Sequence, residues 1–462
     1  MTATEQRNLA AARDDVIIHG STWAAIWHMS WPLMLNMATI ALASFSDIYV
    51  AGRLGPDAQA AIGIGGQVWF FLIILVIALS SGTTALVSRF WGAGERDSTI
   101  RAARESIVYA FIFGAASAAA GLIACRFLLH ILGASPHVEA LGWQYLRYDL
   151  LAQFPYTVLW VTNAIFRARG DARAPMAIMA MVTAIVIALE ITLCLWPFHV
   201  GISGIGIAWL AAGIIGVGLS LATLRQSEIG ECLSLPSIFK QGASAEGFRR
   251  VMRIGIPACV NDLAWVGGNF MLFVIFARTP DPTSCQASWA VGLKCEEMIA
   301  CMPMYAFAMA VATIVGQNLG AGQPDRAELA GWQVAGTGVL LNTVFGLALF
   351  FGAAPIAHLM SNNPAVIGYA TQYFQVVSFC EPFVAAWLIL FGAMQGAGYT
   401  RWPMIVTLVC LTGVRLSLAW LLTINFAMGP TGTWLSLSTT SIMIGLLAIW
   451  RFKTGVWKHQ KV

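Results

Sequence analysis

The sequence is short of charge. Lysine, arginine, aspartate and glutamate make up 10% of its 462 residues, whereas a typical soluble domain carries about 25%. Hydrophobic residues account for 58%, and apolar stretches of about 20 residues, the length needed to cross a bilayer, fill nearly the whole chain. The alternating segments of ~10 residues that build a transmembrane β-barrel are missing. The composition therefore excludes an ordinary soluble domain and predicts an all-α polytopic membrane protein in a lipid bilayer.

Motifs that would indicate enzymatic or cofactor chemistry are also missing. The nine cysteines form no Cys-x-x-Cys pair and no metal-type spacing with histidine, so we predict no metal site and no cofactor. The seven histidines are scattered, without the clustered His/Asp or paired Asp motifs that an intramembrane acyl or prenyl transferase needs. The net charge of +4 comes with no nucleic-acid signature. We therefore predict that the chain is not an enzyme and has no nucleic-acid partner.

The chain does contain an internal repeat. Shifted by 228 residues, it matches itself without a gap. The residues that coincide are Gly92-Ala93-Gly94 with Gly320-Ala321-Gly322, Pro136 with Pro364, Gln144-Tyr145 with Gln372-Tyr373, the set Gly170, Arg173, Pro175 and Met176 with Gly398, Arg401, Pro403 and Met404, and Gly204 with Gly432. In a chain this apolar, a two-fold repeat predicts a transporter whose substrate path runs between two similar halves.

Apolar runs between charged or Gly/Pro breaks give six spans in each half. The predicted spans are 23–50, 58–88, 103–130, 138–166, 174–198, 202–224, 249–278, 286–317, 329–358, 365–395, 402–426 and 432–452. An even number per half gives both copies one orientation, so their pseudo-two-fold axis follows the membrane normal. We predict bundles over 23–224 and 249–452, a linker at 225–248, and tails at 1–22 and 453–462.

Basic residues determine the predicted sidedness. One set of loops and tails holds 20 of the 26 lysines and arginines. The loops on the opposite side hold only Arg53, Arg126 and Arg278. By the positive-inside rule, both termini and the linker are therefore cytoplasmic. The polar residues 1–21 show no pattern of a cleaved signal peptide.

Two Gly-Ala-Gly loops follow spans 2 and 8. Gly-x-Gly stops a helix and lets the chain turn sharply, so Gly92, Gly94, Gly320 and Gly322 are predicted turn residues. A phosphate-binding loop would need a strand before the glycines, whereas predicted membrane helices flank these loops.

Two prolines interrupt predicted spans. Pro32 in span 1 and Pro257 in span 7 lack an N–H group, so each can kink its helix. We predict that both act as hinges.

Taken in order, the motifs are similar to those of the multidrug and toxic compound extrusion (MATE) family of cation-coupled efflux antiporters. The matching segments are Asp47-Ile-Tyr-Val-Ala-Gly-Arg-Leu-Gly55, Ala60-Ala61-Ile-Gly63, the Gly-Ala-Gly loop, the turn Arg167-Ala-Arg-Gly-Asp171, Val315-Gly-Gln-Asn-Leu-Gly-Ala-Gly322 and Gln395-Gly-Ala-Gly398. The similarity covers residues 25–450. It implies two six-helix bundles facing each other across a central cavity, and exchange of a substrate for H⁺ or Na⁺. We further expect a monomer in the plasma membrane (the bacterial inner membrane).

Ionisable side chains inside the spans are the candidate coupling residues, because each costs about 2.5–3.5 kcal/mol on insertion scales. Asp47 lies three helical turns after Asn36 on span 1, so the two share a face. Transporters of the similar family use a carboxylate at this position, after a bending proline, for proton or sodium coupling. The alternative is that Asp47 only reaches outward to water from the end of its helix.

Asp149 is the second candidate of the first half. It stands in a row with Tyr145, Gln153 and Thr157 along one face of span 4. Such a row is typical of a face turned to a wet cavity or to another helix. Coupling and structural pairing are both open for Asp149.

Glu190 on span 5 is the third candidate. Similar transporters often carry Asn and Asp four residues apart here, whereas this chain has Val186 and Glu190. Losing the amide removes one oxygen ligand from a sodium site. A proton carrier is harmed less, since a lone carboxylate still titrates, so we predict protons in preference to sodium.

The second half offers Asp262, Glu296 and Glu381. Asp262 follows Pro257 on span 7, although similar transporters carry this carboxylate further along. Glu296 fits the family pattern on span 8, and Glu381 ends a polar row on span 10. A structural role is the alternative for each of the three.

Three other charged residues are expected to pair with an opposite charge. Lys294 and Glu297 lie three positions apart on one helix face and are expected to neutralise each other. Arg415 on span 11 resembles the family's basic residue there, and we expect it to pair with a carboxylate.

These features predict a secondary antiporter that exports small organic, cationic or amphipathic compounds in exchange for H⁺, with Na⁺ as the alternative ion. A flippase for a lipid-linked precursor is the rival, but it would need a strongly basic cavity, and the intramembrane candidates include seven carboxylates and two basic groups. The charges do not follow the repeat, because Ile275 stands 228 residues after Asp47 and Leu418 after Glu190. Coupling is therefore expected to be uneven between the halves.

Overall fold

The computed structural model describes residues 16–131, 136–228, 230 and 242–460, and within these ranges all regular structure is helical. Twelve long segments follow one another. They are α1 Thr22–Leu54, α2 Pro56–Gly92, α3 Arg96–Ile131, α4 Pro136–Ala168, α5 Arg173–Leu195, α6 Ser203–Arg225, α7 Ala245–Phe276, α8 Pro282–Gly320, α9 Pro324–Phe351, α10 Pro364–Val377 with Glu381–Gly396, α11 Arg401–Asn425 and α12 Pro430–Lys453. Among the described residues, nine helices, or ten with the bent α10, are long and apolar enough to cross a membrane. The predicted all-α polytopic class is confirmed.

Some residues used to predict sidedness cannot be placed. Arg7, Arg13, Lys240, Lys461 and positions 231–241 of the linker lie outside the described residues.

Helix starts follow ordinary capping chemistry. The Ser21 side chain accepts a hydrogen bond from the Ala24 amide (3.1 Å) at the start of α1. Proline occupies one of the first two positions of α2, α8, α9, both parts of α10, and α12. The missing N–H of proline costs nothing at these positions, because the first helical amides have no intrahelical partner. The chain can therefore restart a helix within a few residues of ending one.

The predicted glycine turns lie where the helices end. Gly92 is the last residue of α2 and Gly320 the last of α8. Gly94 (φ +75°) and Gly322 (φ +72°) adopt the left-handed conformation that other residues avoid. The repeat thus encodes the same helix stop twice.

Several helices are interrupted inside their length. Pro32 and Pro257 stand inside α1 and α7, as predicted from the sequence. α10 bends by 60° between Val377 and Glu381, although a continuous span was predicted there. π-helical turns close α5 at Ile191–Leu195 and α11 at Leu421–Asn425, and another lies inside α8. Such turns change the direction in which nearby side chains point, and they are frequent at functional sites.

The chain divides into two compact units, Met1–Gly255 and Ile256–Val462. The division falls inside α7, two residues before Pro257. In the first unit, α4 packs against α2, α3 and α6, while α1 packs against α5. In the second unit, the second half of α10 packs against α8, α9 and α12. The fourth helix of each repeat is therefore the central helix of its unit.

The first turns of α7 belong to the first unit and pack closely on α2. A Cβ atom on Gly82 would lie 2.3 Å from the Val251 carbonyl oxygen, and one on Gly255 would lie 2.1 Å from that of Ala78. Tyr109 on α3 donates a hydrogen bond to the Ser244 carbonyl oxygen (2.6 Å). Glycine is needed at both contacts because the two helix backbones almost touch.

An aromatic cluster forms the core of the second unit. Trp289 stacks on Trp434 with ring centroids 6.0 Å apart, and the Tyr373 and Phe276 rings pack against both. Trp289 and Trp434 are both fully buried. The cluster holds α7, α8, α10 and α12 together.

Candidate functional site

Three buried or half-buried carboxyl groups meet inside the first unit. Asp47 on α1, Asp149 on α4 and Glu190 on α5 interact electrostatically, and the Asp47 and Glu190 carboxyls contact each other. Glu190 is fully buried, whereas Asp47 is half-buried. We call these three residues the N-terminal carboxyl cluster. Asp47 therefore turns toward its own bundle rather than outward to water.

Two side-chain donors hold the contacting pair. The Trp209 indole N–H on α6 donates to Asp47 Oδ1 at 2.8 Å and also interacts with the Glu190 carboxyl. The Ser46 hydroxyl, next to Asp47 on α1, donates to Glu190 Oε2. The other oxygen, Glu190 Oε1, has no amide, indole or hydroxyl donor among the described residues. Glu190 therefore keeps one oxygen atom that can accept a proton.

Asp149 is buried in the same bundle. It is 5% exposed, and its Oδ2 atom has no hydrogen-bond partner among the described residues. The row predicted on α4 is buried throughout, since Tyr145, Gln153 and Thr157 are each less than 7% exposed. The row faces the bundle interior and not the surroundings of the bundle.

Positive charge is missing from this cluster. No ion pair within the described parts of the chain involves Asp47, Asp149 or Glu190. Unpaired carboxylates are costly in a membrane interior. The arrangement therefore favours neutralisation of the carboxylates by a bound positive charge.

Asn36 is buried on the same helix as Asp47, as predicted. Its Oδ1 atom has no hydrogen-bond partner in the described part of the chain. Asn36 stands about three helical turns before Asp47 along α1, next to the Thr39–Thr183 contact that joins α1 to α5. Asn36 therefore shares a helix face with Asp47, but no hydrogen bond among the described residues joins the two side chains.

The second unit holds its own charged cavity. Tyr373 on α10 donates to Glu296 Oε2 on α8, and Arg415 on α11 interacts electrostatically with Glu296. Arg415 is 3% exposed and donates to Asn269 Oδ1 (3.2 Å), Thr440 Oγ1 (2.9 Å) and Ser441 Oγ (3.1 Å). The cavity around these groups has an aromatic lining. Its aromatic residues are Trp265, Trp289, Tyr305, Tyr373 and Trp387.

Glu381 has a structural explanation. It opens the second half of α10, directly after the 60° bend, where a helix N-terminus favours a negative charge. The Asn342 amide donates to both the Glu381 carbonyl oxygen (2.9 Å) and its Oε2 (2.7 Å). The residue is fully buried and does not line the aromatic cavity. Its carboxyl tethers α9 to the bend.

Asp262 also lies outside the aromatic cavity. The Asn261 amide donates to its Oδ1 at 3.1 Å, and Thr407 on α11 donates to Asn261 Oδ1 at 2.6 Å. Lys294 and Glu297 form the predicted ion pair at 3.1 Å. Among the second-half candidates, the structure brings only Glu296 into the cavity that Arg415 lines.

Several residues of the two sites were not predicted. Trp209, Ser46 and Asn269 carry no charge and stand in ordinary apolar spans, so composition does not single them out. Tyr373 had a usable signal, because it coincides in the repeat with Tyr145, which the sequence placed in the row with Asp149. Tyr145 interacts electrostatically with Asp149 and Asp47, and Tyr373 bonds to Glu296.

Comparison with known proteins identifies the family. The MatE family model matches residues 32–192 and 257–421, one block in each half. The chain is 22% identical over 443 residues to the probable multidrug resistance protein NorM of Thermotoga maritima, covering 94% of this chain and 93% of that protein. It is 25% identical over 425 residues to the FAD transporter of Shewanella oneidensis, covering 91% and 92%.

Solved structures show the same fold. An outward-facing multidrug resistance MATE family transporter superposes with a TM-score of 0.87 at 20% identity, covering 96% of this chain and 98% of that one. The Vibrio cholerae MATE transporter VcmN, in its bent form, gives 0.85 at 19% identity, covering 96% and 97%. The twelve-helix, two-bundle architecture predicted from the repeat is confirmed.

The family match in both halves of the chain, together with the twelve-helix membrane fold, identifies a transporter. The chain belongs to the MatE family of multidrug efflux transporters. It is a multi-pass membrane protein, and its relatives include proteins named for multidrug resistance and for FAD transport. The flippase alternative finds no support in these comparisons.

Proposed function

We propose that this chain exports organic cations, or amphipathic compounds that carry a cationic group, in exchange for protons by alternating access. The contact between the Asp47 and Glu190 carboxyls is the observation that carries this proposal. Two adjacent negative charges in a membrane interior repel each other strongly, so such a pair holds a shared proton readily. A bound organic cation satisfies the same charge.

Exchange follows from that competition. When a cation occupies the cluster, the shared proton is no longer needed to offset the repulsion, and when the cation leaves, a proton returns. A ligand shifts a conformational equilibrium only by its different affinity for the two states. Proton and substrate therefore drive the transporter in opposite directions if each is bound more tightly in a different state.

Protons suit this site better than sodium. Val186 stands one helical turn before Glu190, where it offers no oxygen atom to an ion. A hard cation needs several oxygen ligands, whereas a proton needs only one. The proposed setting is the bacterial plasma membrane with both termini cytoplasmic, where the membrane potential adds about 2.3 kcal/mol per charge per 100 mV.

Transport in proteoliposomes tests the proposal. Purified protein is reconstituted with a pH gradient in sodium-free buffer, and ethidium is added as an organic monocation. Ethidium should collapse the pH gradient in protein-containing vesicles and leave it intact in empty ones. A pH gradient that survives ethidium in both kinds of vesicle contradicts proton exchange.

A further inference from the structure

The indole of Trp209 lies beside the Asp47 and Glu190 carboxyls, which contact each other. Its Nε1–H donates to Asp47 Oδ1 at 2.8 Å and also interacts with the Glu190 carboxyl. The Ser46 hydroxyl donates to Glu190 from the side of α1. Donor hydrogens from α1 and α6 therefore already occupy lone pairs on both acids.

Helix packing fixes the position of that indole. Trp209 lies between Gly206 and Gly213 on α6. A Cβ atom on Gly206 would lie 2.6 Å from the Tyr145 carbonyl oxygen, and one on Gly213 would lie 2.8 Å from Tyr156 Cε2. These two glycines bring α6 against α4, and the Tyr156 ring packs on the Trp209 indole with centroids 5.4 Å apart.

A metal cation and a proton make different demands on this arrangement. Sodium is a hard cation that binds oxygen lone pairs, and an indole N–H is a donor with no lone pair to offer. An N–H hydrogen aimed at Asp47 Oδ1 therefore takes one lone pair from the several oxygen ligands that a sodium ion needs, and its partial positive charge repels the ion. A proton binds one carboxyl oxygen, and Glu190 Oε1 has no competing donor among the described residues.

We infer that Trp209 is the residue that selects protons over sodium at this carboxyl pair. The inference rests on the proposed cation exchange and adds the residue that sets its ion specificity. Trp209 reduces the set of free oxygen atoms below what a shared sodium ion needs, and it leaves Glu190 Oε1 free for a proton. Removing the N–H while keeping an aromatic ring admits sodium.

The test compares Trp209→Phe, Trp209→Asn and wild type. Phenylalanine removes the donor and keeps the ring, whereas asparagine also supplies an amide oxygen. The matched control is Trp196→Phe, directly after the end of α5, where the indole is 74% exposed. Ethidium export from proteoliposomes is driven either by a pH gradient without sodium or by a sodium gradient with the pH clamped by ionophores.

A binding measurement accompanies transport, so that a variant with slow turnover remains informative. Thermal unfolding of the purified protein is followed as NaCl replaces choline chloride at constant ionic strength. Sodium should stabilise Trp209→Phe or Trp209→Asn and leave wild type and Trp196→Phe unchanged. A sodium affinity at least about tenfold above wild type is expected.

The outcomes separate the inference from the proposed function. The inference is supported if only the pH gradient drives ethidium export by the wild type and a sodium gradient drives export by either Trp209 variant. Wild type driven by sodium overturns the inference and leaves cation exchange standing. Trp209 variants that remain proton-driven and show no response to sodium also overturn it. Wild type driven by neither gradient overturns the proposed function together with the inference.

Discussion

The carboxyl groups of Asp47 and Glu190 contact each other inside the first unit, although the residues lie on α1 and α5. A third helix secures the pair, because Trp209 on α6 donates to Asp47. No ion pair among the described residues neutralises either acid. The binding of a cation at this pair therefore changes the free energy of the first unit.

Removing either acid of this pair should abolish coupling. Asp47→Asn and Glu190→Gln keep the shape of the side chains but remove the repulsion that makes the pair hold a proton. Each variant should lose at least about tenfold of its pH-driven ethidium export, a loss of ~1.4 kcal/mol or more in coupling. Export rates in proteoliposomes measure this loss.

The matched controls for these variants are exposed acids of the same types. Glu95 lies in the loop before α3 and Asp97 in its first turn, and both are exposed. Glu95→Gln and Asp97→Asn should therefore export ethidium at the wild-type rate. Normal, pH-dependent export by Asp47→Asn would show that the coupling group is elsewhere.

Asp149→Asn should separate stability from transport. The Asp149 carboxyl is buried beside Asp47, and its Oδ2 has no hydrogen-bond partner in the described chain, so a neutral isostere removes a buried like charge and an unfavourable interaction. We expect a thermal midpoint in detergent equal to or higher than that of wild type, together with slower export. A large drop in the thermal midpoint would instead assign Asp149 to the packing of α4.

Arg415 should matter for the stability of the second unit. Its guanidinium is buried and donates to Asn269, Thr440 and Ser441. Arg415→Met leaves these acceptors without a donor and removes the positive charge near Glu296, which should cost about 1–3 kcal/mol. Thermal unfolding measures the cost, and Arg401→Met, exposed at the start of the same helix, is the control. Equal unfolding temperatures for the two variants would contradict the role of this network.

Glycine at position 82 should stabilise the contact between α2 and α7. A Cβ atom there would lie 2.3 Å from the Val251 carbonyl oxygen, so Gly82→Val must push α7 away from α2. The change should destabilise the protein by about 1–3 kcal/mol, and thermal unfolding would show it. Gly66→Val, in open space on the same helix, is the control. If Gly82→Val is as stable as Gly66→Val, the close contact between α2 and α7 does not exist.

Much of the architecture could be predicted from the sequence, because membrane insertion and the repeat constrain it strongly. The length of the apolar stretches predicts the membrane helices, and the 228-residue offset predicts two copies of one bundle. Asp47 and Glu190 stand out because a carboxyl group in an apolar span is costly. The left-handed glycines Gly94 and Gly322 follow from the same repeat.

The remaining features depend on packing that no single segment encodes. Trp209 reaches Asp47 only because Gly206 and Gly213 let α6 approach α4. The bend before Glu381 divides α10 into two helices, although the sequence of its two apolar runs predicts one continuous span. The π-helical turn after Glu190 likewise depends on helix contacts and leaves no sequence motif.

Proton release on substrate binding tests the central claim most directly. Purified protein in weakly buffered, sodium-free detergent solution is mixed with ethidium, and a pH indicator counts the protons released per bound cation. The account predicts a release on the order of one proton per ethidium in wild type, and almost none in Asp47→Asn or Glu190→Gln. Stoichiometric ethidium binding by wild type without any proton release would contradict exchange at the Asp47–Glu190 pair.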